Sequence, residues 1–209
     1  LYIIDCGAEI LKMFYKTPHV GEVVTIDEGE KINEIFEMVN DELERRKQLF
    51  ADYVGSYTNY IENSGEKLPL IVIVINGYEN FSETHRKMSE AIQSFYRDCK
   101  KYGVVFILSA ITTNSISGRL TQYFENKICL QLPNDADYRN LLNCPRSLIP
   151  ANAFGRGIVE YHDNYYEFQT AHVIDQKRIN NVIQEASKKL NEMYPVGAPK
   201  IKIIPNIVG

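Results

Sequence analysis

The sequence predicts an α/β fold, a doubly wound and mostly parallel sheet closed by a C-terminal β-hairpin. Three observations predict it. Short β-branched and aliphatic runs alternate with stretches of helical periodicity, the spacing of right-handed strand–crossover–strand units. One run, LPLIVIVI from Leu68 to Ile75, is almost continuously aliphatic, as a strand covered on both faces is. Near the end, two strand-like stretches flank the turn signal His162-Asp163-Asn164.

The elements follow in order. LYIIDC (Leu1 to Cys6) reads as a buried parallel strand, and Glu22 to Ile26 as a second. Asp27 with Glu30 three residues on forms a capping-box-like helix start. The helix it opens carries Ile32, Ile35, Phe36, Val39, Leu43 and Phe50 on one face, and Glu34, Glu37, Glu44, Arg45 and Lys47 on the other. Residues 54 to 67 are polar and glycine-containing, which predicts a surface loop. The strand Leu68–Ile75 comes next, expected to be central and buried. A helix is predicted from about Glu83 to Lys100, then strands at Val104–Ala110 and Ile128–Leu132. Gly155–Tyr161 and Tyr165–Ala171 form the hairpin. A last amphipathic helix carries Ile179, Val182, Ile183, Ala186, Leu190 and Met193. Pro195, Pro199 and Pro205 predict an extended linker over 195–209, leaving 1–194 as the folded domain.

Composition narrows the function. The 209 residues are 44% hydrophobic, enough for one sizeable core or at most two small ones, and 24% charged, ordinary for a soluble globular domain. A net charge of −4 argues against a large electrostatic footprint on nucleic acid, and no nucleic-acid partner is expected. No apolar run approaches the roughly 20 residues that span a bilayer. The chain opens directly on a strand-like segment, so no signal peptide is expected, and any membrane anchor lies outside this sequence. Cys6, Cys99, Cys129 and Cys144 form no C-x-x-C pair and predict reduced, buried thiols. His19, His85, His162 and His172 lack ligand spacing, so no metal site is expected. No nucleophile motif appears either.

The strand at Leu68–Ile75, followed by a small polar turn and a helix, invites comparison with a Walker B element. There an Asp holds the Mg²⁺ water shell and an adjacent Glu polarises the attacking water. This strand instead ends Ile75-Asn76-Gly77-Tyr78-Glu79. Asn76 cannot match a carboxylate's charge toward a hard cation. Gly77 has no side chain to act as base, and Glu79 lies two residues further on.

The colinear order of LYIIDCG, TPHVGEVVTIDEGEKINEIF, LPLIVIVINGYENF, YGVVFILSAITTN, KICLQLPNDADYRNLLN and NAFGRGIVEYHDNYYEFQTA resembles the FtsK/SpoIIIE family of RecA-like motor domains. It is most similar there to the tandem ATPase modules, second or third, of the EssC/EccC coupling proteins of type VII secretion. The resemblance covers the chain to about Ile179 and implies a RecA-like P-loop NTPase fold. It also implies a degenerate Walker B at Asn76 and Gly77, and a lost sensor glutamine at Ile111. No G-x-x-x-x-G-K-[ST] loop occurs, so ATP and Mg²⁺ are expected only if such a loop lies upstream.

Two arginines are candidates to reach a neighbour's nucleotide: Arg139, at the family's D-S-R position, and Arg119. Against that stand a local Arg139–Asp135 pair and a plain surface role for Arg119. Arg156, between two glycines, reads as surface. Alternation puts Tyr166 and Phe168 on one hairpin face, where packing is expected rather than base stacking.

The expectation is a module with little or no hydrolysis of its own, acting in assembly, regulation or substrate docking. The alternative is an active FtsK-type translocase of DNA or protein. The resemblance implies neighbouring ATPase modules of the same chain, a hexamer in the full machine and WXG-type secreted substrates. It places the domain on the cytoplasmic side of a membrane-anchored bacterial protein.

Overall fold

Strand β1 (Tyr2–Asp5) is the hub of the main sheet. It pairs in parallel with β2 (Glu22–Thr25) on one side and β3 (Ile71–Asn76) on the other. β4 (Val104–Leu108) follows, for the order β2-β1-β3-β4. The structure is a computed structural model and describes residues 1–171 and 178–201, with backbone alone at 93 and 94. The chain divides into two compact units, Leu1–Ser109 with Asn180–Gly209, and Ala110–Ile179.

In the first unit, one face of the sheet is covered by α1 (Gly29–Leu49), α3 (Tyr78–Thr84) and α4 (Arg86–Cys99). Phe36 of α1 lies about 6 Å, ring centre to ring centre, from Phe81, Phe95 and Phe106. Register sets Phe106 beside Ile73 and Ile75 beside Ile4, and all of these side chains are buried. The opposite face is covered only in part. Leu11 and Phe14, on a short 3₁₀ turn (Ile10–Phe14), pack against Ile3, Val20 and Val23. Toward β4, Val72 and Val105 are half-buried and Ile107 is 52% exposed. The expectation that Leu68–Ile75 is covered on both faces therefore needs correction. β3 is interior by pairing, yet Val72 and Val74 are only half-buried, whereas β1 and β2 are buried throughout.

Four other expectations change in this unit. Asp27 does not cap α1. Glu28 precedes the helix, and its carboxylate turns back to accept from the Thr25 N–H and hydroxyl and from Lys31. The loop at 54–67 contains α2 (Tyr57–Ser64), held because Tyr60 packs on Phe50 and Tyr53. Gly65 ends it with φ of 73°, a conformation open to glycine at little cost. The helix predicted from Glu83 is two helices, broken at His85, whose Nε2 donates to the Ile26 carbonyl at 2.9 Å. The apolar stripe of α7 (Ile179–Met193) is buried only in part, with Ile183 and Leu190 half-buried beside Ser187. Ser187 points inward and meets Thr17 at 3.0 Å, while Asn191 donates to the Lys16 carbonyl, leaving Val182 and Met193 exposed.

Residues 195–201 form neither helix nor strand and are pinned. Ala198 N–H donates to Pro18, Tyr2 Oη to the Pro199 carbonyl, and Lys200 Nζ to the Val20 carbonyl. His172 and Pro205 lie outside the described residues.

Inside the first unit, Arg46 is 1% exposed and has a structural task. It pairs with Glu42 at 2.7 Å and donates to the carbonyls of Pro69, Tyr102 and Gly103, tying down the approaches to β3 and β4.

The second unit is a three-stranded sheet, β5 (Ile128–Cys129), β6 (Arg156–Tyr161) and β7 (Asn164–Gln169), in that order and antiparallel. The 128–132 strand is thus only two residues long and joins the hairpin rather than the parallel sheet. The hairpin itself is as predicted, with His162 and Asp163 at φ of 49° and 59° in its turn. Ile158, Cys129, Cys144, Leu142 and Tyr138 form this unit's core, the last three around α6 (Asp135–Leu142). Tyr166 is half exposed, not packed as expected.

Candidate functional site at the ends of the main strands

Open parallel sheets place their ligands at the carboxyl ends of the strands. At those ends of β1, β3 and β4 the structure builds a polar knot from Asp5, Asn76 and Ser109. Asp5 is fully buried and accepts three hydrogen bonds: from Gly7 N–H at 3.2 Å, Leu11 N–H at 2.9 Å and Asn76 Nδ2 at 2.8 Å. Asn76 Oδ1 accepts from the Ser109 hydroxyl at 2.6 Å, and the Ser109 oxygen accepts from Gly77 N–H at 3.2 Å. Tyr78 N–H donates to the Ser109 carbonyl and Asn80 Nδ2 to the Cys6 carbonyl, both at 2.8 Å.

Gly77 is required where it stands. Its φ is 73°, and a Cβ there would sit 3.1 Å from the Cys6 carbonyl and the Gly7 nitrogen. The turn after β3 thus presses on the turn after β1. Glu79 follows on the first turn of α3, with Oε2 buried and lacking a hydrogen-bond partner among the described residues.

The geometry bears directly on a magnesium–nucleotide site. A hard cation needs free carboxylate oxygens. Both Asp5 oxygens are taken by N–H donors, and both ends of the Asn76 amide are committed, one to Asp5 and one to Ser109. Among the described residues no cluster of three acidic, His or Cys side chains could hold a metal ion. The Asp5–Asn76–Ser109 knot does not fit Mg²⁺.

The other predicted positions lie in the second unit. Ile111 is 73% exposed. Arg119 is exposed on α5 (Gly118–Thr121), and Arg139 is half-buried on α6, with no ion pair to Asp135 among the described residues. Arg156 lies 3.7 Å from Glu167. This unit also carries an open cleft of about 480 Å³ lined by Thr113, Asn114, Ser117, Thr121, Lys127 and Asn140 among others. Its polar walls hold one cation and no carboxylate. Sequence reasoning missed Asp5 and Ser109. The signal for Asp5 was there, a lone acid closing a buried apolar strand.

Burial pushes the Cys6 and Cys129 thiols up to about 11 and Cys99 up to about 12. All four cysteines are free and buried.

No family model matches the chain. It is 29% identical over 169 residues, 79% of its length, to the ESX secretion system protein YukB of Bacillus subtilis. It is 23% identical over its full length to the type VII secretion system protein EssC of Staphylococcus aureus. It spans only 11% and 14% of those relatives. Among solved structures, it matches EssC (ATPases 2 and 3) from Geobacillus thermodenitrificans at a TM-score of 0.87 and 22% identity, covering 98% of this chain and 40% of that one. EccC (ATPases 2 and 3) of Thermomonospora curvata, solved with a signal sequence peptide, matches at 0.81 and 22%, covering 99% and 39%. No helix among the described residues is long and apolar enough to cross a membrane. This chain is a homologue of the EssC/EccC type VII secretion proteins, and its fold is the RecA-like fold of their ATPase modules.

Proposed function

We propose that this chain is a module of a type VII secretion motor that has exchanged hydrolysis for docking. The carrying observation is the Asn76 amide, held between Asp5 and Ser109 where a hydrolytic module needs a carboxylate free to engage Mg²⁺. A neutral amide there completes a structural network in place of an ion shell. With Gly77 beside it, no group at that point positions or deprotonates a water. In this reading Ile111, Arg119 and Arg139 contribute nothing to turnover in the chain itself, and the arginines are free to meet a neighbouring module.

The docking half of the proposal rests on the cleft of the second unit and on the peptide bound to the EccC relative. Thr113, Asn114 and Ser117 offer hydroxyl and amide groups to an extended or helical tail, with Lys127 to meet a carboxylate. The occupant proposed is the C-terminal signal of a WXG-type secreted protein, delivered on the cytoplasmic side of a membrane-anchored hexamer. Affinity is modest, micromolar or weaker, because an ordering cost offsets a few contacts.

Two measurements test this. Purified chain with Mg²⁺–ATP is expected to show no turnover above background, and motor-like turnover would restore the active-translocase reading. A signal peptide titrated into isotopically labelled chain should shift the amides of 113–122 and 140–141. Silence there at millimolar peptide would end the docking role.

A further inference from the structure

We propose that the cleft of the second unit reads the free end of a polypeptide, binding the α-carboxylate of its last residue through Lys127. The inference deepens the docking reading above and rests on it. Lys127 is half-buried in the cleft wall, and among the described residues no hydrogen bond or ion pair engages its ammonium. A cation drawn partly out of water with no acid beside it gains most from an incoming anion. No carboxylate lines the cleft. Asp137, the acid bonded to the wall residue Thr113, is committed elsewhere. Its Oδ1 accepts from the Thr113 hydroxyl at 3.4 Å and its Oδ2 from Asn134 Nδ2 at 3.3 Å.

The rest of the wall selects which anion. Asn114, Gln122 and Asn140 line it with side-chain amides that have no hydrogen-bond partner among the described residues, and Ile116 and Leu141 add half-buried apolar surface. Cation, amides and aliphatic pair share about 480 Å³, a volume that encloses a drug-sized molecule and not a helix. The last residue of a chain presents the matching groups from a single Cα: a carboxylate, a peptide unit and a side chain. An Asp or Glu within a chain does not, because its backbone leaves in both directions and a cleft of this size has no room for both. A phosphate group carries nearly two charges and is met by clustered cations, whereas this wall holds one.

The signal peptide of the docking experiment, made once as the free C-terminal acid and once as the C-terminal amide, decides it. Both forms keep every side chain, so only the terminus differs. Titrated into isotopically labelled chain, the acid is expected to bind about tenfold more tightly than the amide. In Lys127→Met the two forms should bind alike, while Lys127→Arg should keep most of the preference. Unchanged amide positions outside the cleft show that the Met variant is folded. Equal affinity of acid and amide for the parent chain overturns the reading of the chain end and leaves docking standing, as does a preference that survives Lys127→Met. Shifts from neither peptide at millimolar concentration end both.

Discussion

Asn76 on β3 donates to Asp5 on β1 across 2.8 Å, and that single bond ties the ends of two strands through a buried carboxylate. Converting Asn76 to Asp would set two carboxylates against each other where one has no water. The expected result of Asn76→Asp is a loss of about 2–4 kcal/mol at neutral pH, with no gain of Mg²⁺-dependent ATPase activity. The loss should shrink as pH falls, because a shared proton removes the repulsion. Melting curves at pH 7 and pH 5 check the sign; equal stability at both would mean the pair is hydrated.

Arg46 should be among the costliest side chains to remove. Arg46→Met leaves three carbonyls without their donor and should cost about 3 kcal/mol by urea denaturation. Arg45, exposed and paired with the same Glu42, should cost under about 1 kcal/mol.

The acid limb follows from Glu42. The hydrogen bond from Arg45 first, and then that from Arg46, holds its carboxyl below the ordinary 4.5, against burial that raises it. A carboxyl depressed in the folded state stabilises fully above about 4.5, and that contribution fades as pH falls through the lower folded value. Glu42→Gln should therefore be less stable than the parent at pH 7, and the gap should close near pH 3.

The two faces of the main sheet predict unequal tolerance. Phe36→Ala, in the middle of three rings, should cost about 4 kcal/mol. Ile107→Asp, on the open side of β4, should cost under about 1 kcal/mol. Comparable losses would mean that face is covered in solution.

Burial holds the thiols of Cys6, Cys99 and Cys129 near 11 to 12, so at pH 8 fewer than about one in a hundred is thiolate. A thiol reagent should modify the native chain far more slowly than the urea-unfolded one.

Much of the fold was legible because its signals are local. Continuous β-branched runs marked β1, β3 and β4, and the His162-Asp163 turn marked the hairpin. What was not legible depends on partners distant in sequence. α2 exists because Tyr60 finds Phe50 and Tyr53, and the break at His85 depends on the Ile26 carbonyl. The short apolar run at 128 gave no hint of which sheet it would join. The burial phase of α7 was hidden for a related reason, since Ser187 and Asn191 are bound through hydrogen bonds that apolar periodicity does not register. Of the candidate site, Asn76 and Gly77 were legible as departures from an expected chemistry. Asp5 and Ser109 were not, because only strand pairing brings residues 5, 76 and 109 together.

The strap at 198–200 has a consequence for synthesis. It rests on residues 2 and 18–20, yet it is made after the whole of Ala110–Ile179. The second unit is thus an insertion within the first. Translation of its about 70 residues takes roughly 4 to 14 s, during which the parallel sheet emerges without its final latch. The second unit can close while it waits, since all of its strands lie within one contiguous stretch. The first unit starts to emerge before the second and is completed after it, so chains arrested near residue 180 should remain protease-sensitive around Pro18 after the hairpin has become resistant.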